Sequence, residues 1–120
     1  MVTDAMRDMT CPCSRLLEYL VVGYGFASDG ACWTIRTEIA PIVAALIDPN
    51  AEVRVQYGQV AHGGPSPYYA AWTDYLWTIQ GPIRPLDVLT GRPREAAEYF
   101  ASEGLLHIEP GRRLVIGIRH

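Results

Sequence analysis

The closing stretch SEGLLHIEPGRRLVIGIRH, residues 102–120, constrains this chain more than any other. Pro93 suits the first position of a helix that runs to Glu103, because its missing N–H costs nothing there. Gly104 then stands where a helix end needs a residue in the left-handed conformation, and Leu105 falls where it packs back on Phe100. Beyond it Leu106 and Ile108 share one face of a strand, and Leu114, Ile116 and Ile118 form the facing row. Between the two, Pro110-Gly111 has the chemistry of a type II turn. His107, Glu109, Arg113 and Arg119 take the opposite, polar face. A helix that feeds a hairpin of this kind calls for an antiparallel sheet. The expected class is α+β: a small antiparallel sheet with three to four helices and a C-terminal helix–hairpin unit.

Upstream, EVRVQY alternates, with Val53, Val55 and Tyr57 inward and Glu52, Arg54 and Gln56 outward, which predicts a half-buried strand. TEIAPIVAALIDPN predicts a helix capped by Thr37, with Pro41 in its first turn and Asp48-Pro49-Asn50 ending it. GQVAHGGPSP reads as a loop on its glycines and prolines. SPYYAAWTDYLWTIQGP predicts a further helix. Ser66 is its N-cap, Pro67 its first residue, and Trp72, Tyr75, Leu76 and Ile79 share one face. PLDVLTG reads as a short helix of about two turns. CSRLLEYLVV is helix or strand, since so short an apolar run fits both, and the Asp29-Gly30 turn signal allows a hairpin of roughly 19–27 with 31–36.

With 120 residues, no repeat and no linker, the chain reads as one domain over 1–120, frayed at 1–10. Hydrophobic residues make up 49%, enough to fold around a core. The net charge of −3 argues against strong generic binding to phosphate backbones or anionic membranes. Four Arg face eight acids in residues 1–83, whereas six Arg face five acids in 84–120, so the tail is the less acidic part. Lysine is absent from the sequence, which excludes Schiff-base chemistry and a P-loop lysine. No apolar run approaches the roughly 20 residues of a membrane span, and MVTDAMRDM is no signal-peptide start. Three cysteines suggest no disulfide framework. A cytoplasmic protein without membrane contact is expected.

Two short helices followed by a hairpin resemble the end of a winged-helix domain, over about 36 residues from Pro85. That resemblance implies a nucleic-acid-binding regulator that uses Arg92, Arg94, Arg112 and Arg113. Glu95, Glu98 and Glu103 on the second helix oppose it.

Other motifs are incomplete. Gly23, Gly25 and Ser28 match a dinucleotide fingerprint, but a turn follows where a helix is required. Cys11, Cys13, Cys32 and His62 are zinc-competent, yet C-x-C is not the usual knuckle spacing. HGGP at 62–65 suits an esterase backbone-donor loop, but no G-x-S-x-G elbow accompanies it. His62 with Asp74 or Glu52 is the best base-and-orienter pair on which a small enzyme could be built. No cofactor is expected.

The aromatic set Tyr68, Tyr69, Trp72, Tyr75 and Trp77 is denser than one helix stripe can bury. Tyr68, Tyr69 and Trp77 are left over for a partner, because exposed aromatics beside Arg typify protein interfaces. The leading expectation is a non-catalytic interaction module that binds a protein partner or itself: a small regulator, inhibitor or assembly factor.

Overall fold

A computed structural model describes residues 7–22, 33–65 and 72–118. It has a five-stranded, wholly antiparallel sheet in the order β1-β2-β3-β5-β4 and, among the described residues, three α-helices. This is the α+β class expected.

The first strand, β1 (Arg7–Pro12), lies at one sheet edge against Glu52–Tyr57, so residues 7–10 are paired rather than frayed. Two bonds run from Arg54 to the Asp8 carboxylate across this pair of strands, at 3.2 and 2.7 Å. Helix α1 (Cys13–Val22) follows at once and settles the helix-or-strand question. Cys13, Leu16 and Leu20 recur at helical spacing and are fully buried. Two of its N-terminal N–H groups, at Cys13 and Ser14, donate to the carbonyls of Ala51 and Pro49. The turn before β2 therefore caps α1.

Residues 33–46 are helical throughout, so the described arms of the expected 19–27/31–36 hairpin are helices instead. Pro41 lies in the first turn of the α-helix Ala40–Leu46, as expected, but helical chain already precedes it from Trp33. Having no N–H, it cannot donate to the carbonyl four residues back, and its ring clashes there. The chain absorbs the conflict by widening into a π-helical turn, Ile35–Ile39, in which the Ala40 N–H reaches back to the Ile35 carbonyl. Thr37 is not a cap; its Oγ1 donates to the Trp33 carbonyl at 2.7 Å. Helix α2 (Ala40–Leu46) continues, and Ile35, Ile39, Ile42, Val43 and Leu46 form one buried stripe. Ile47 is extended, and Asp48-Pro49-Asn50 makes the expected turn, with the Asn50 N–H on Asp48 Oδ1 at 2.8 Å.

Strand β2 (Glu52–Pro65) begins with the predicted alternation: Val53, Val55 and Tyr57 are buried. It continues through 58–65, where a loop is expected from the glycines. Those residues are accommodated by a register shift between Gln59 and Gly64.

The largest departure is β3 (Trp72–Gln80), a strand where the periodicity predicts a helix. WTDYLWTIQ satisfies both periods. Trp72, Tyr75, Leu76 and Ile79 fit a helical stripe, but Tyr75, Trp77 and Ile79 also alternate, and the segment is rich in aromatic and β-branched residues. The strand wins because a ladder is available on each side, β2 on one and β5 on the other. Leu76 is also buried, on the face opposite to Tyr75 and Trp77, so both faces of β3 carry buried apolar side chains.

PLDVLTG supplies one 3-10 turn, Leu86–Val88, rather than two helical turns. Helix α3 (Gly91–Ser102) starts two residues earlier than Pro93 suggests. It ends as predicted: Gly104 has φ 71°. The Leu105 N–H meets the Phe100 carbonyl at 2.8 Å and the Gly104 N–H meets that of Ala101 at 3.1 Å, the two bonds of a Schellman ending. Leu105 and Phe100 join the same core. Gly104→Ala should therefore cost about 1 kcal/mol, from forcing a side chain into the left-handed region. Urea unfolding measures it, and an unchanged midpoint would contradict this ending.

Strands β4 (Leu106–Glu109) and β5 (Arg113–Ile118) pair as predicted, Leu106 with Ile116 and Ile108 with Leu114. Gly111, at φ 77°, closes the type II turn, with the Arg112 N–H on the Glu109 carbonyl. The hairpin does not stand free: β5 sits between β4 and β3, and Leu114 through Ile118 are all buried. The helices contribute to one core with one face of this sheet, which includes Tyr57 stacked on Trp77 with ring centroids 5.1 Å apart.

Candidate functional site

Among the residues whose exposure is described, the large exposed apolar side chains belong to the helical segments. Among the described residues the large ones are Val21 on α1, Trp33 at the start of the 33–46 segment, Val88 on the 3-10 turn and Tyr99 on α3, from 46 to 60% exposed. None of them is on a strand. Local sequence explains why. On α3, Ala96, Ala97 and Phe100 turn inward, which leaves Tyr99 on the outer side, edge-on to Phe100 at 6.3 Å. Arg92 lies seven residues before Tyr99, on the same helix face. Arg92 also donates to Glu38 at 3.3 Å, linking the first turn of α3 to the π-helical turn that follows Trp33. Trp33 has Arg36 and Thr37, both exposed, one turn ahead of it.

Trp77 is not part of any such surface. It is 1% exposed, beside Tyr57 and opposite Ile116 in the sheet. Its assignment to a partner surface followed from the helix reading of this segment and falls with it. Tyr68 and Tyr69 lie outside the described residues, as do Cys32 and the Gly23, Gly25, Ser28 motif.

The four arginines nominated for nucleic acid each meet a carboxylate. Arg92 pairs with Glu38, Arg94 with Glu98 at 3.2 Å, and Arg112 and Arg113 with Glu109 at 3.5 and 3.1 Å. Glu109 also meets His107 Nε2 at 3.1 Å, so one carboxylate gathers three cationic or potentially cationic groups at the hairpin turn. Two of these arginines, Arg92 and Arg94, belong to α3, while Arg112 is in the hairpin turn and Arg113 begins β5.

His62 is in β2, and its side chain, like that of Asp74, lies outside the described residues. Glu52 stands ten positions before it, at the start of the same strand, with the register shift between Gln59 and Gly64 spanning His62. Cys11 and Cys13 are free and buried. Burial pushes the Cys13 thiol up to about 11, with smaller contributions from Cys11 and Asp48. Among the described residues no group of three or more His, Cys, Asp or Glu is placed to hold a metal ion. Native Cys13 should therefore resist iodoacetamide at pH 8 and react only after denaturation. Mass spectrometry distinguishes the two, and fast native labelling would contradict the burial.

At the far sheet edge the Arg54 guanidinium hydrogen-bonds Asp8 and holds its carboxyl below the usual range. The pair is exposed and screened, so it adds little to the stability that the β1–β2 ladder gives the edge.

Comparison with protein-family models, with curated proteins and with solved structures found no match to this chain. Among the described residues no helix is long and apolar enough to cross a membrane.

Proposed function

We propose that this chain is a non-catalytic protein–protein interaction module, a small regulator, inhibitor or assembly factor, that engages its partner through the helical segments. The observation that carries the reading is the half-exposed Trp33, 52% accessible, together with Tyr99 at 60%. Trp, Tyr and Arg are the residues that dominate interface energetics, because a rigid ring buries much area at small entropic cost. Arg36 near Trp33 and Arg92 near Tyr99 complete that composition. Either another protein or a second copy of this chain satisfies the reading.

The test is capture from host lysate with nuclease present, comparing the wild type with a Trp33→Ala/Tyr99→Ala variant of unchanged melting temperature. The expected result is a defined partner retained by the wild type and lost from the variant. For self-association, light scattering should show a dimer that the variant abolishes. Retention of the same partner by both proteins would overturn the reading.

A second reading, a winged-helix-like nucleic-acid binder, keeps the helix-then-hairpin order as support, with Arg92 and Arg112 each 71% exposed. It predicts duplex affinity that falls steeply with salt, with a slope that shrinks by about one for each phosphate-contacting arginine removed. The carboxylate beside every one of these arginines makes it the weaker reading. No mobility shift of a duplex at low salt would remove it.

A further inference from the structure

We draw no further inference here: the strongest candidate, the first turn of α3 where Arg92 and Arg94 flank a helix N-terminus, carries nothing because a helix end is not by itself a site and both guanidinium groups are already engaged by Glu38 and Glu98.

Discussion

Trp77→Ala should destabilise the fold by about 3–5 kcal/mol, the range for removing a large aromatic from a packed core. The side chain is 1% exposed, stacked on Tyr57 at 5.1 Å and near Tyr75 at 6.5 Å. Its strand is internal, so the cavity is walled by β2 and β5 and cannot collapse easily. At roughly 4 °C per kcal/mol for a domain of this size, the melting temperature should fall by about 12–20 °C. Trp77→Phe keeps a ring in the stack and should cost distinctly less. A change within about 0.5 kcal/mol for Trp77→Ala would be surface behaviour and would contradict the position of β3.

The opposite signature is expected for Trp33→Ala and Tyr99→Ala. Each removes a largely exposed ring, so stability should stay within about 0.5 kcal/mol, or about 2 °C. Each should nevertheless weaken binding of the captured partner by about 30-fold, the equivalent of about 2 kcal/mol for an interface anchor. Calorimetric titration measures both constants. Val88→Ala, which trims a smaller exposed side chain, should cost the partner less. Losses of twofold or less for both ring deletions would place the interface elsewhere.

The contrast between Trp77 and Trp33 shows what could be read from the residues and what could not. Elements whose cause is local were legible. The Gly104 ending, the Pro110-Gly111 turn, the Val53-Val55-Tyr57 alternation and the Asp48-Pro49-Asn50 stop all rest on neighbours within a few positions. The strand β3 was not legible, because WTDYLWTIQ fits periods of 3.6 and of 2 alike. Its choice is made by β5, whose pairing residues lie about forty positions away in the chain. The helical turns that precede Pro41 were not legible for a related reason. A π-helical turn lets a proline sit mid-helix, and nothing in the local pattern announces it. Among the site residues, the arginines were found as residue types, but the Arg92–Glu38 pair spans 54 positions and needs the fold. Tyr99 follows from the same 3.6 periodicity that buries Phe100. Trp33 was hidden by the Asp29-Gly30 turn signal, which suggests a hairpin arm over 31–36, whereas residues 33–36 are helical.

Hydrogen–deuterium exchange on the free chain and on its complex with the captured partner would locate the interface without mutating it. Slower exchange on binding should concentrate in residues 33–46 and 88–102, the segments that carry Trp33, Val88 and Tyr99. Protection confined to the strands, or to the Glu109–Arg113 turn with a ligand that salt releases, would contradict a partner surface on the helices.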